Sequence, residues 1–416
     1  MEEIIVRGGS PLEGTLRVQG AKNSVLPVLA ATILHPGNTI IKKCPRLSDV
    51  TAAVRILEHL GCRVGWRGED LVVDASAPER WDIPDALMRE MRSSVILLGA
   101  LLARFGRAEV SCPGGCELGP RPIDLHLDAL RKLGAPLTEE MGRIVCRRAR
   151  LRGREITLSL PSVGATENIM LAACGTAGET VIVNAAREPE IVDLQNFLCA
   201  MGCAVRGAGG SVISIEGRRP TADTAHTVIA DRIAAATYLC AAAAAGGSIE
   251  LTGVDWRHLS TVTAALLQAG CRVTGEEGRI RLESGGRLKA VSPIRTAPYP
   301  GFPTDAQPVL MAALLGSEGS TVFVENMFEN RYRHVDELRR MGADIHACGR
   351  VAVVTGAEHL CPAAVRATDL RGGAALLVAA LAARGESRIE GVGHILRGYE
   401  DPVRDLAALG ADITKR

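Results

Sequence analysis

AGCRVTGEEGRIRLES, residues 269–284, reads as the end of one helix followed by a hairpin. Gly270 stands just past an apolar periodic run, where a residue free to take positive φ caps a helix in the left-handed conformation. Two extended segments then flank a turn, CRVTG before it and RIRLES after it. The signature recurs as LGCRV (60–64), LGAPL (133–137), MGCAV (201–205), MGADI (341–345) and LGADI (409–413). The six glycines, at 61, 134, 202, 270, 342 and 410, are separated by 73, 68, 68, 72 and 68 residues. A period of about seventy residues is an internal repeat, and each repeat is one supersecondary unit.

Each unit carries a second helix that is apolar nearly all round and is therefore expected to be buried. These begin near GAKNSVLPVLAA, MRSSVILLGALLA, VGATENIMLAA, DRIAAATYLCAAA, FPTDAQPVLMAALL and DLRGGAALLVAALAA. A strand follows each: NTIIKK, RAEVSC, ETVIVN, SIELTG, STVFVEN and SRIEGV. The fold class is α/β. Six units predict two domains of three units each, with the middle boundary near residue 229. Helices buried within sheet predict an inside-out α/β barrel in each domain.

Composition narrows the function. The 416 residues are 47% apolar and 23% charged, with a formal net charge of +1, as in an ordinary globular protein. Aromatics are 3% and no basic stripe appears, so nucleic-acid binding is disfavoured. The first residues, MEEIIVRGGSPLEG, carry acids where a secretory leader has a basic region. The longest apolar run, IAAATYLCAAAAA (233–245), is too short to span a bilayer. The expected location is cytoplasmic.

Twelve cysteines invite a metal or a disulfide reading. No CxxC pair occurs and the nine histidines are scattered, so a metal cluster gets little support. Cytosolic thiols stay reduced. Cys62, Cys203 and Cys271 occupy the slot held by Ala135, Ala343 and Ala411 in the other copies, which marks them as small buried hydrophobes. Cys174, Cys199 and Cys240 lie within apolar helices and get the same reading. Cys112 and Cys116 differ, because they flank a Gly-Gly loop at a strand exit. The residues alone leave a metal site, a disulfide or one reactive thiol open there.

With these features in place, the chain resembles the UDP-N-acetylglucosamine enolpyruvyl transferases, cousins of the shikimate-pathway enolpyruvyl transferases. The resemblance runs from residue 5 to the C-terminus. It is carried by QGAKNSVLPVLAA (19–31), MRSS (91–94), PGGCELGPRPIDLH (113–126), SVGATENIMLAA (162–173) and NAAREPEIVDL (184–194). It continues in FPTDAQ (302–307), ENMFENRYRHVDEL (325–338), ATDLR (367–371) and HILRGYED (394–401). The resemblance implies two domains of threefold-repeated βαβαββ units, 22–229 and 1–21 with 230–416, and an active site in the cleft between them. The implied reaction moves the enolpyruvyl group of phosphoenolpyruvate to the 3′-hydroxyl of UDP-N-acetylglucosamine. It releases phosphate by addition and elimination and opens peptidoglycan synthesis. Both small molecules are the implied partners. No metal, cofactor, nucleic acid or membrane is implied, and a monomer is favoured.

The resemblance also assigns residues. Cys116 matches the thiol that donates a proton to the substrate methylene and that the epoxide fosfomycin alkylates, with Cys112 a bystander. Nearby cations would lower the pKa of such a thiol. Asp305 matches the candidate base for the hydroxyl, although an acid before a helix is by default an N-terminal cap. Lys22, Asn23, Arg121, Arg371 and Arg397 match the phosphoenolpyruvate clamp, with Lys22 and Arg397 also counted as catalytic. A lysine at a helix start is unfavourable for the helix and argues for an anion there. Asn23, Arg92, Arg121, Pro122, Ile123, Asp124, Leu125, Ser162, Val163, Gly164, Asp305 and Met327 match the nucleotide-sugar site. Asp231 and Asp369 stand at helix starts, Asp49 is equally a cap or a site residue, and His126 and His394 read as supports.

The chain departs from the family pattern at ADRIAAAT (230–237), at Leu160 and at Ser48, where many members have PDRIEAGT, a lysine and a basic residue. Two alternatives accompany this reading: a catalytically silent UDP-sugar-binding paralogue, and a shikimate-3-phosphate enolpyruvyl transferase. The intact Lys22, Cys116, Asp305 and Arg397 weigh against the first. The thiol loop weighs against the second.

Overall fold

The computed structural model describes residues 2–91, 93–112 and 123–416. The chain divides into two units. One runs from Gly20 to Ile229, and the other joins the first strands, up to Gln19, with Ala230–Arg416. Each unit has its own apolar core.

Six four-stranded sheets share one plan. In the first unit, Thr224–Thr227 runs parallel to Asn38–Lys42, which is antiparallel to Asp70–Asp74, itself antiparallel to Arg63–Arg67. The other two sheets of this unit are built around Ala108–Ser111 and Glu179–Val183 in the same way. The second unit follows suit, with Leu12–Arg17 parallel to Gly247–Thr252 and Ile294–Arg295 parallel to Ser320–Val324. In the last sheet Glu3–Gly8 lies between Gly385–Glu390 and Asp412–Lys415, antiparallel to both. It fills the place that the return strand of the hairpin takes in the other five sheets. The strands alternate buried and exposed residues, as one-sided sheets must.

The inner helices are buried on every face. Arg371 to Leu381 of the Leu370–Ala382 helix are all buried, and so are Ile233 to Ala243 of the Arg232–Ala245 helix. These two helices and Gln307–Ala313 pack on one another. In the first unit, Leu97–Phe105 packs against both Lys22–Ala31 and Val163–Ala173. Small residues permit the close approach. A Cβ on Gly99 would lie 2.3 Å from the Asn168 carbonyl, and one on Gly373 would lie 2.6 Å from Ile395 Cγ1. Sheets outside and helices inside make each unit an inside-out α/β barrel.

The repeated glycines explain how each outer helix gives way to its hairpin. All six have positive φ, from 84° at Gly342 to 104° at Gly134. In each copy the glycine N–H donates to the carbonyl three residues back, and the next N–H donates to the carbonyl five back. In the first copy these bonds are Gly61 N to Glu58 O at 3.0 Å and Cys62 N to Leu57 O at 2.9 Å. This is the Schellman arrangement, and the residue after the glycine turns inward to pack. Cys62, Cys203 and Cys271 are buried there, as the repeat predicts. Cys199 departs from expectation, since it is exposed. Its helix, Pro189–Ala200, is an outer one, and its last two residues, Cys199 and Ala200, face solvent while Phe197 and Leu198 pack inward. No helix among the described residues is long and apolar enough to cross a membrane.

Candidate active site

The second unit gathers its charged residues at the starts of its inner helices. Asp231 accepts from the N–H groups of Ile233 and Ala234 at 2.8 and 3.0 Å, and Asp369 accepts from Arg371 and Gly372, both at 3.0 Å. These are true N-caps, satisfying donors that a helix start leaves unpaired. Asp305 is not one. The Gln307–Ala313 helix is capped at Ala306 with no side-chain hydrogen bond, and Pro308 occupies its first turn. The Asp305 carboxylate lies between two arginines instead. Arg331 Nη2 donates to Oδ1 at 2.9 Å, while Arg371 Nε and Nη2 donate to Oδ2 at 3.1 and 3.0 Å.

Both guanidinium side chains are almost wholly buried, 2% and 3% exposed, whereas the Asp305 side chain is 29% exposed. Two cations thus stand behind one accessible carboxylate. Burial alone would lower the pKa of Arg371, but the Asp305 carboxylate, Tyr399 and Asp231 reverse this and raise it, so its charge is fixed. Arg331 also donates to the Thr304 carbonyl at 2.7 Å. Arg371 Nη1 reaches the Tyr399 hydroxyl at 3.4 Å, and that hydroxyl bonds to Thr237 at 2.7 Å. The Met327 N–H donates to Glu325 Oε1 at 2.7 Å, and its side chain is exposed. Arg397 and His394 are half-buried, in the segment around the short Val392–Ile395 helix.

In the first unit, Lys22 opens the Lys22–Ala31 helix and its Nζ donates to Asp49 Oδ2 at 3.1 Å. Both side chains are shielded, 13% and 3% exposed. The anion that a lysine at this helix start calls for is supplied in part by the chain itself. Asp49 is therefore a counter-ion: Leu47 holds the cap position of its helix, and Asp49 stands in the first turn. Asn23 follows Lys22 in the first turn and is half-buried.

Ser162 caps the Val163–Ala173 helix through Ala165 N at 3.4 Å. Two residues on, the glycine has a steric reason, because a Cβ on Gly164 would lie 2.8 Å from His126 Cε1. His126 lies on the Asp124–Lys132 helix, which Ile123 caps and which also holds Leu125. Asn168 Nδ2 donates to His126 Nδ1 at 2.7 Å and to the Val95 carbonyl at 3.0 Å. Its Oδ1 accepts from Gly99 N at 2.7 Å. Burial lowers the His126 pKa to about 4. The ring is thus a neutral brace between two helix starts, in keeping with a supporting role. Leu160, just ahead of Ser162, is 67% exposed.

Among the predicted site residues, Arg92, Cys116, Arg121 and Pro122 lie outside the described residues. Cys112 is half-buried at the end of its strand, and burial, then Glu139, raises its pKa, which suits a bystander. The structure brings Asp305 and Arg371 together, and Lys22 with Asp49. It adds Arg331 and Tyr399, which the sequence reading did not single out. Arg331 lies inside ENRYRHVDEL, 26 residues from Asp305, and nothing local in the sequence tells it from Arg333 two residues on. No group of three or more His, Cys, Asp or Glu able to hold a metal ion occurs among the described residues.

This arrangement can be set beside known proteins. The family model for EPSP synthase (3-phosphoshikimate 1-carboxyvinyltransferase) matches residues 6–406. UDP-N-acetylglucosamine 1-carboxyvinyltransferase 2 of Caldanaerobacter subterraneus subsp. tengcongensis is 51% identical over 415 residues, covering 100% of each chain. UDP-N-acetylglucosamine 1-carboxyvinyltransferase 1 of Symbiobacterium thermophilum is 47% identical, covering 100% of this chain and 95% of its own. Among solved structures, the enolpyruvyl transferase NikO from Streptomyces tendae superposes with a TM-score of 0.90 at 28% identity, covering 100% of this chain and 98% of that one. EPSP synthase from Acinetobacter baumannii, at a TM-score of 0.75 and 18% identity over 100% of both chains, shares the fold.

Proposed function

The chain belongs to the EPSP synthase family of carboxyvinyltransferases, and from that premise we propose that it transfers the enolpyruvyl group of phosphoenolpyruvate to the 3′-hydroxyl of UDP-N-acetylglucosamine. The observation that carries the reading at the level of chemistry is the Asp305 carboxylate, accessible and seated on the buried guanidiniums of Arg331 and Arg371. An acceptor hydroxyl needs an oriented oxygen base, and an anionic donor needs fixed positive charge beside it. That pairing supplies both.

In the addition step, the Cys116 thiol delivers a proton to the methylene carbon of phosphoenolpyruvate. The hydroxyl oxygen bonds to the neighbouring carbon, and the hydroxyl proton passes to Asp305. In the elimination step, the Cys116 thiolate takes a proton back from the new methyl carbon, the double bond re-forms and phosphate leaves with the electron pair of its carbon–oxygen bond. Lys22, Asn23, Arg121, Arg371 and Arg397 hold the carboxylate and phosphate, for which an arginine fork suits bidentate contact. Arg92, the 121–125 run, Ser162, Val163, Gly164 and Met327 hold the nucleotide sugar.

The test is phosphate release from phosphoenolpyruvate with UDP-N-acetylglucosamine or shikimate 3-phosphate as acceptor. Release with the nucleotide sugar alone is expected. Binding of the nucleotide sugar without release would favour a silent paralogue, and release with shikimate 3-phosphate would favour the other enolpyruvyl transferase.

A further inference from the structure

We infer that Gln19 is a positioning residue for Arg397, through a two-point clamp of its side-chain amide on the Gly398–Glu400 backbone. The inference rests on the proposed role of Arg397 toward phosphoenolpyruvate. Gln19 Nε2 donates to the Gly398 carbonyl at 2.9 Å, and Gln19 Oε1 accepts from the Glu400 N–H at 2.9 Å. One planar amide thus satisfies a carbonyl and an N–H two residues apart, as a neighbouring strand would. The pattern fixes which way the amide faces, because only its NH₂ can serve the carbonyl and only its oxygen can serve the N–H.

The clamp acts on the segment that carries Arg397. Arg397 lies between two short helices, Val392–Ile395 and Pro402–Ala408. Gly398 N returns to the Ile395 carbonyl at 3.0 Å, and a Cβ on Gly398 would lie 2.8 Å from Leu370 Cδ1. The segment is therefore pressed onto the inner helix that carries Arg371. Next comes Tyr399, whose hydroxyl bonds to Thr237 and reaches Arg371. Gln19 closes a circuit with the same parts: its own carbonyl accepts from Asp231 N at 2.9 Å, and Asp231 caps the helix that holds Thr237. Gln19 is also the last residue of its unit before the chain passes to Gly20. Sequence separation hides all of this, since Gln19 and Gly398 are 379 residues apart.

The placement of a cationic side chain follows its backbone, and an error of about 1 Å can cost two orders of magnitude in a reacting site. Losing two hydrogen bonds while burying their partners weakens the preferred geometry by about tenfold or more. Gln19→Leu keeps the bulk and removes both bonds. It is expected to raise the KM for phosphoenolpyruvate by about tenfold while leaving the KM for UDP-N-acetylglucosamine within about twofold. In an Arg397→Ala background, Gln19→Leu should add nothing further, which a general loss of packing would not reproduce. If circular dichroism shows that Gln19→Leu fails to fold, Gln19→Glu carries the same test, since it keeps the acceptor for Glu400 N and opposes the Gly398 carbonyl with a second acceptor.

Equal rises in both KM values, or additive effects in the double variant, would overturn the positioning role. A raised phosphoenolpyruvate KM in Arg397→Ala with none in Gln19→Leu would overturn this inference alone. An unchanged KM in Arg397→Ala would remove the reading of Arg397 itself, and the inference with it.

Discussion

Each repeat has two helix ends of consequence, and they behave in opposite ways. At the end of the outer helix all six copies use glycine, positive φ and the same pair of hydrogen bonds. At the start of the inner helix the copies diverge. Lys22 is paired with Asp49, Ser162 caps lightly, Asp231 and Asp369 cap fully, and Asp305 is diverted to two arginines. The backbone problem at the first end is identical in every copy, so one residue solves it. At the second end the substrates are not symmetric, so neither are the residues. The repeats build the fold, and the departures from repetition fall where the proposed chemistry lies.

The sharpest way to break that contrast is to alter one departure without altering the fold. Asp305→Asn keeps the size of the side chain but cannot take a proton. Turnover should fall by about 10²–10⁴-fold, the usual contribution of a general acid or base, with nucleotide binding largely intact. Isothermal titration with UDP-N-acetylglucosamine beside steady-state kcat separates the two. A variant within about threefold of the parent kcat would remove Asp305 from the mechanism.

The next effect is on stability, and it also belongs to a helix start. Burial lowers the His126 pKa from 6.5 to about 4. Above pH 6.5 the ring is neutral in the folded and unfolded chain alike, and its neutral form is fully compatible with burial. As pH falls from 6.5 toward about 4 the unfolded chain binds a proton that the folded one resists, so stability declines, and below that range the decline levels off. The slope should amount to as much as about 3 kcal/mol from His126. His334, buried and likewise lowered to about 4, adds to it. His126→Gln, whose amide oxygen can still accept from Asn168, should flatten the profile measured by urea unfolding at pH 7 and pH 4.5. An unchanged slope would show that His126 does not titrate in the folding reaction.

The repeated end can be tested copy against copy. Gly134 and Gly270 share nearly the same φ, 104° and 102°. A Cβ on Gly134 would lie 2.4 Å from the Arg150 carbonyl, whereas nothing lies within 4 Å of one on Gly270. Gly270→Ala should therefore cost only the strain of positive φ, about 1–2 kcal/mol. Gly134→Ala should cost more, because backbone must also shift. Neither should change kcat in the folded enzyme. Equal costs in thermal unfolding would mean that φ alone, and not the local space, decides these positions.

These two ends also differ in how far they can be read from sequence. The cap glycines are legible because the requirement is local: a helix ends, a positive φ is needed, and the same spacing repeats. Asp305 misleads because the local cue fails by one residue. Asp231 and Asp369 immediately precede the first helical residue, but Ala306 stands between Asp305 and Gln307, and Pro308 removes a donor from the first turn. Its carboxylate stands one residue before the cap position and is taken by Arg331 and Arg371 from elsewhere in the chain. Asp49 misleads in the same manner, since its partner Lys22 lies 27 residues away. Tertiary partners of a charged residue leave no periodic trace, whereas a buried helix leaves one in its composition.

The smallest expected effect concerns the residue just after the cap glycine. Three copies place cysteine there and three place alanine, which implies that the thiol does no chemistry. Burial pushes the Cys62 thiol up to about 11, so it stays protonated at neutral pH and packs as a small apolar group. Cys62→Ala should then cost about 0.5–1 kcal/mol, from the lost apolar contact alone, with kcat and both KM values unchanged. Cys203→Ala should cost somewhat more. Its thiol neighbours that of Cys174, which is wholly buried and would lose this contact. Thermal unfolding of the two variants ranks them, and steady-state assays check that turnover stays level. A loss of turnover in Cys62→Ala would show that chemistry reaches into the repeated end, and the contrast between the two helix ends would fail at its simplest point.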